Sequence, residues 1–247
     1  MKNQKFNQGL TLTALGSFWW GVIGVIYFKY ISFAGPIEVV IHRCIWTSAV
    51  LILTTFFFSK WNIFFQIILN KKKLVLLFFS GLLIFINWAT WIYAVGTEKI
   101  IDASFGYFIM PILSVFLGYI FYNEKINRKR SISIALVLLS VLSLIFTNFN
   151  SIPWVGIIVA LSWGFYNLLR KKVNVDTDVG LLIESLFILP FALFSFYLIF
   201  QNNLNDFSLA SPSLMLLFML AGPMTVIPLF LYVRGVELCG LGPTGMI

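Results

Sequence analysis

Charged and titratable side chains inside apolar runs are where chemistry is first sought in this chain, because an ionisable group in hydrocarbon is costly. Three such groups sit together: Glu38, His42 and Arg43. Glu38 and His42 are four apart and share a helical face, and Arg43 neighbours both. The set could relay protons, since histidine titrates near neutral pH, or it could bind an anion. The plainer reading is a neutralised structural cluster whose long side chains snorkel to the outer interface. It is preferred because the group lies near a helix end. Glu184 falls about one and a half turns into a later apolar run. It could pair with a base of the preceding loop or with Arg234, and structural pairing and proton coupling are both open there.

A second kind of chemistry is recognition by aromatic area with a few polar groups. Ile84, Asn87, Trp88, Trp91 and Val95 follow helical spacing and share one face. Trp163, Tyr166, Asn167 and Arg170 share another, and correspond through a repeat to Trp20, Ile23, Gly24 and Tyr27. Tyr107 and Tyr232, which belong to the repeated segments, complete the candidate substrate-binding set. The plainer reading of these faces is helix–helix packing, with asparagine bonded across an interface and aromatics in lipid-facing belts. The cavity reading is preferred for the two faces, and the belt reading for Trp61 and Trp154 at span ends. Pro111, Pro190, Pro223 and Pro228 lie inside apolar runs and tend to kink a helix. Pro111, Pro223 and Pro228 are the hinge candidates, and Ser114 with Gly118 forms a small-xxx-small pair that lets a helix approach closely.

The elements that must carry these residues are transmembrane helices. Of the 247 residues 60% are hydrophobic and 11% charged, and the mean hydropathy is +0.95. A soluble fold has no interior large enough to hide that much apolar surface. Uncharged runs place spans at about 9–30, 36–58, 74–96, 101–122, 131–147, 153–170, 179–200 and 212–234, given that roughly 20 apolar residues cross the hydrocarbon. The NFNSIP stretch at 148–153 divides the fifth from the sixth, with Pro153 suited to a first helical turn. The first run has no cleavage site behind it and is long enough to span. Cys44 and Cys239 read as small hydrophobes rather than as a disulfide or metal pair.

Charge sets the direction. Fourteen of the 17 lysines and arginines fall on one side if both the N-terminus and the end of the eighth span face the cytoplasm, against Lys29 and Lys99 on the other, with Arg43 inside the second span. This bias accounts for the net charge of +8 without a nucleic-acid partner. One histidine excludes a multi-histidine metal site. No phosphate-binding loop or nucleophile motif appears, and the loops are too short for a soluble catalytic domain.

YAVGTEKIIDASFG at 93–106 is repeated as YVRGVELCGLGPTG at 232–245, an offset of 139 that superposes Tyr93 on Tyr232, Gly96 on Gly235, Glu98 on Glu237 and Gly106 on Gly245. WGVIGVIYFK at 20–29 is matched by WGFYNLLRKK at 163–172, and Glu38 roughly by Glu184. The unit is therefore five helices. An odd number inverts the second unit and places a pseudo-two-fold axis in the membrane plane. On this arithmetic two further helices should follow Ile247.

Seven segments in order resemble the RarD branch of the EamA family, in the drug/metabolite transporter superfamily. They are HRCIWTS at 42–48, NWATWIYAV at 87–95, SFGYFIMP at 104–111, NEKI at 123–126, SWGFYNLLRKK at 162–172, GLLIESLFILP at 180–190 and AGPMTVIPL at 221–229. The resemblance spans essentially the whole chain. It implies a ten-helix inverted-repeat transporter of the inner or plasma membrane, whose members are often labelled chloramphenicol-sensitivity proteins. The family pattern continues from Gly245 into a ninth helix resembling Tyr107–Pro111, and then a tenth. The superfamily's small multidrug relatives carry an acid within their first helix. This chain has none there, so their proton antiport is not implied.

The expectation is an all-α integral membrane protein of eight transmembrane helices, built as an inverted repeat of five-helix units at 1–149 and 150–247 with the second incomplete. It would be a multi-pass protein of the plasma membrane with a cytoplasmic N-terminus. Its function would be that of a secondary transporter moving small organic solutes by alternating access, not an enzyme. Spans 1, 3, 6 and 8 would line the path with span 4. No cofactor, metal or nucleic acid is expected. The partners are a small-molecule substrate and the bilayer, with a partner protein or homodimer if the chain is naturally short. The alternatives are a membrane-embedded enzyme or lipid-handling protein, or an inactive fragment of a ten-helix transporter.

Overall fold

A computed structural model describes residues 2–126, 128–148, 153–208 and 211–247. Helix is the only secondary structure among them. Hydrocarbon offers no partner for backbone polar groups, so an apolar chain must close its hydrogen bonds within each segment. The order is α1 Lys2–Phe18, a π-helical turn Trp19–Gly24, α2 Val25–Tyr30, a 3-10 turn Ile31–Ala34 and α3 Gly35–Phe57. Then come α4 Trp61–Ile68, α5 Lys71–Gly96, α6 Ile100–Tyr122 and α7 Arg128–Asn148. The chain ends with α8 Trp154–Val173, α9 Thr177–Gln201, α10 Pro212–Met219, α11 Ala221–Cys239 and α12 Leu241–Thr244.

Among the described residues five helical segments are long and apolar enough to cross a membrane: Gln4–Phe57, Lys71–Gly96, Ile100–Tyr122, Thr177–Gln201 and Pro212–Cys239. The protein is therefore an all-α, multi-pass membrane protein. The first segment runs for 54 residues and is turned at Gly35, whose φ of 74° lies in the left-handed region that a side chain disfavours. Pro36 follows at the first turn of α3. The Asn70 side chain caps α5, accepting from the Lys73 amide at 3.1 Å.

Several local readings need correction. The loop after α3 holds a short helix, α4, which buries Phe64 and Ile67 and on which Trp61 packs against Phe64 at 5.3 Å. Pro153 stands just before α8 as its cap residue. The rest of the expected break, at 149–152, lies outside the described residues. The last apolar run is divided at Leu220 into α10 and α11. Pro223 is thus in the first turn of α11, where a missing N–H costs nothing, while Pro228, like Pro111 in α6 and Pro190 in α9, is truly interior.

α1 packs against α11, α8 against both α5 and α6, and α3 against α9 and α11. The main core lies among α3, α5, α8, α9 and α11 and includes Leu51, Leu77, Ile84, Tyr166, Leu182 and Val233. Large apolar side chains such as Ile26, Phe57 and Phe191 face outward.

The NEKI loop closes one end. Glu124 accepts from the Leu241 and Gly242 amides at 3.0 Å each and from the Lys171 ammonium. Burial raises its carboxyl, but the Lys171 charge and the two amides outweigh this and hold its pKa below the usual glutamate value. These bonds stabilise the fold above the ordinary pKa of about 4.3 and are lost as pH falls through the lowered value. Glu124→Gln is expected to lower the thermal midpoint at neutral pH and to make no difference once the wild-type carboxyl is protonated. A deficit of constant size from neutral into acid solution would refute this role.

Candidate functional site

A cavity of about 390 Å³ opens between the π-helical turn, α3, α5, α6, α8 and α11. Aromatic rings dominate its wall. Trp20 meets Trp163 edge-on at 5.0 Å, Trp163 lies 5.1 Å from Tyr232, and Phe28 meets Trp91 at 5.4 Å. Rings in this arrangement give a large contact area with little conformational freedom to lose. Of the ten residues expected to bind solute, Trp20, Asn87, Trp88, Trp91, Tyr107, Trp163 and Tyr232 line this cavity.

Tyr27, Tyr166 and Asn167 do not. The Tyr27 hydroxyl donates to the Leu217 carbonyl at 2.8 Å, and Phe28 takes its place in the wall. The reason is the π-helical turn at Trp19–Gly24. Its i→i+5 bonding accommodates an extra residue, so the side chain following Trp20 on the cavity face is one position later than a regular helix dictates. On α8, Trp163 reaches the cavity, but Tyr166 turns toward α9, where its hydroxyl donates to Glu184 at 3.3 Å. Asn167 is buried away from the cavity, and its Oδ1 has no partner among the described residues. Asn87 donates to Val159 O and Ser162 Oγ at 3.1 and 3.2 Å, so part of its amide ties α5 to α8 while the residue still lines the cavity.

The expected three-residue ion cluster is split. Glu38 and His42 stay together, with His42 Nε2 3.6 Å from Glu38 Oε1. Glu38 accepts the Asp206 and Phe207 amides at 2.8 and 2.9 Å, pinning that loop to the start of α3. His42 accepts from Trp46 Nε1 at 3.2 Å and is enclosed by Phe196, Phe207 and Phe218. Arg43 points elsewhere. Its guanidinium lies 4.8 Å from the Phe28 ring and 4.7 Å from the Trp88 ring, on the cavity wall. It is 3% exposed and does not snorkel. Adjacent helical residues diverge by about 100°, so sequence neighbours cannot share a partner automatically.

Glu184 pairs with Arg170, whose Nη1 is 3.5 Å from its Oε1, and accepts from Ser80 Oγ. Arg234 instead bonds Glu237 at 2.9 Å. Arg170 also donates to Thr177 O at 3.1 Å and lies 3.9 Å from Glu237. Gly180 makes this crossing possible: a methyl group there would sit 2.0 Å from Arg170 Nη1. Among the described residues no group of three or more histidine, cysteine or acidic side chains could hold a metal, and Cys44 and Cys239 are buried and outside any disulfide.

Gly21 and Phe28 also line the cavity, and Phe28 carries no sequence signal, because in a regular helix Tyr27 rather than Phe28 shares the face of Trp20. Gly21 offered no signal, since a glycine in an apolar run reads as packing.

Residues 7–146 match the profile of the EamA-like transporter family. Over 250 residues the chain is 32% identical to the uncharacterized transporter YojE of Bacillus subtilis, covering 100% of this chain and 83% of that one. An uncharacterized transporter of Vibrio cholerae is 33% identical over 229 residues, 93% of this chain and 75% of its own. Protein RarD of Salmonella typhi is 33% identical over 232 residues, 94% and 78% respectively.

Proposed function

The chain belongs to the EamA-like transporter family, with RarD proteins among its relatives, and from that premise we propose that it is a secondary transporter carrying small organic solutes through the aromatic cavity by alternating access. One observation carries the reading. Trp20 and Trp163, equivalent positions of the two repeat units, touch each other at the cavity wall. A two-fold axis brings equivalent residues together in this way, and an axis in the membrane plane is what lets one site face either side.

The packing supports the inverted repeat, with units at 1–149 and 150–247. Under the repeat α1 corresponds to α8 and α5 to α10 with α11, and α1 packs on α11 as α8 packs on α5. α3 packs on α9, its own counterpart. The eight-span reading, with a cytoplasmic N-terminus in the plasma membrane, is supported by which loops meet. Lys60 bonds Asp176 and Asp178 at 3.1 and 2.8 Å, and Lys171 bonds Glu124. All three of these loops are assigned to the cytoplasm by charge. On the opposite side Glu38 holds residues 206–207, and Lys99 lies 5.5 Å from the Trp154 ring. The division of α10 from α11 and the interior Pro111 and Pro228 supply the hinges such a cycle needs.

Uptake into proteoliposomes across a solute panel, under a proton gradient and under exchange conditions, tests this. Absence of flux in both would overturn it. Gly21 offers a sharper probe, since a methyl group there meets nothing within 4 Å although the residue lines the cavity. Gly21→Leu is expected to cut uptake by about tenfold, the effect of about 1.4 kcal/mol of lost solute binding, with an unchanged unfolding midpoint. Wild-type uptake by this variant would argue that solute passes elsewhere.

A further inference from the structure

Among the described residues, no acidic side chain balances the one charge on the cavity wall. Arg43 is 3% exposed, its Nε has no hydrogen-bond partner among the described residues, and no carboxylate there lies within ion-pair distance of it. Its guanidinium stands over the faces of Phe28 and Trp88. Cation–π contact offsets only part of what a guanidinium loses on leaving water. A guanidinium cannot shed its proton, so it cannot escape the cost by neutralising. The contrast with Arg170 is internal to the molecule. Arg170 is equally buried but is flanked by Glu184 and Glu237. No acidic side chain lines the cavity among the described residues, whose polar members are Arg43 together with asparagine, serine, threonine, tyrosine and tryptophan.

We propose that the solute is an organic monoanion, its carboxylate held by the Arg43 guanidinium and its apolar or aromatic body lying against Trp20, Trp91 and Trp163. This rests on the cavity being the solute site. The fork of N–H donors matches a carboxylate in two parallel bonds. One cation balances one negative charge, whereas a phosphate monoester brings close to two and would need a second base. A cation or an uncharged solute would leave the arginine unpaired, and a solute ammonium would find no acid among the described residues of the wall.

The test uses the full chain in detergent and its intrinsic tryptophan fluorescence, because four tryptophans line the cavity. Three probes of the same shape are titrated: 3-phenylpropionate, 3-phenylpropanamide and 3-phenylpropylamine. The carboxylate is expected to give a saturable change with an affinity about tenfold or more above the amide and the amine, in keeping with an unpaired buried charge as the source of discrimination. Arg43→Gln is expected to erase that preference. Arg43→Lys should keep part of it, since lysine retains the charge but not the fork. Equal binding of the amide or amine, no saturable response to the carboxylate, or an unchanged preference in Arg43→Gln would each overturn the proposal. If Arg43→Gln does not fold, the ranking of the three probes on the unaltered protein still decides. Binding needs no gradient, so the two readings separate. Anion-selective binding without flux would remove the transport reading alone, and flux with charge-blind binding would remove this one alone.

Discussion

Glu184→Leu is expected to cost about 3–5 kcal/mol of stability, the usual penalty for breaking a buried ion pair by deleting one partner. Glu184 is 2% exposed and Arg170 is 1% exposed. Without the carboxylate, Arg170 keeps only the more distant Glu237, at 3.9 Å, and the Thr177 carbonyl. The Ser80 and Tyr166 hydroxyls lose their shared acceptor as well. Arg170→Met is expected to cost less, because a stranded carboxylic acid can take up a proton and a stranded guanidinium cannot lose one. The double variant Arg170→Met with Glu184→Leu should recover much of the loss, since a well-packed apolar pair can replace a buried ion pair. Thermal unfolding of the four proteins in detergent gives the coupling directly. Additive losses would show that the two residues do not compensate each other.

Gly106→Val should be comparably damaging for a different reason. A methyl group on Gly106 would lie 2.4 Å from the Gly156 carbonyl oxygen, and one on Gly156 would lie 2.4 Å from the Asp102 oxygen. α6 and α8 therefore touch backbone to backbone, as small residues allow in membranes. No side chain can swing aside there, so the helices must separate. The cost is expected at the upper end of overpacking effects, about 3 kcal/mol or more, and should appear as loss of folded protein on extraction. Gly96→Ala is the control: a methyl there would rest 3.6 Å from the Pro36 ring, an ordinary contact, and stability should change by less than about 0.5 kcal/mol. A stable Gly106→Val protein would refute the close crossing.

Gly96 also shows where sequence reasoning reaches its end. It is the repeat partner of Gly235, identical in type and register, yet a methyl on Gly235 would meet Thr13 Oγ1 at 2.1 Å. The repeated glutamates diverge likewise. Glu237 accepts from Thr177 and Arg234, at 2.8 and 2.9 Å, whereas Glu98 is exposed with a φ of 60°. A repeated sequence specifies which residue types recur but not what each copy packs against, because that depends on the neighbouring helices.

The all-α class, the membrane setting and the family were legible from the chain alone. Apolar length and the need to close backbone hydrogen bonds inside each segment are local requirements that read directly from residue order. Helical spacing also put Trp88 with Trp91 on one face and Trp163 on another, and these rings line the cavity together with Trp20. Only the tertiary structure decided that Arg43 leaves Glu38 and His42 for the cavity, that Phe28 displaces Tyr27 through a π-helical turn, and that Glu184 pairs with Arg170 while Arg234 takes Glu237. Each of those outcomes is set by which neighbouring helix a side chain meets. A rotation of about 100° per residue turns a single-residue change of register into a different partner.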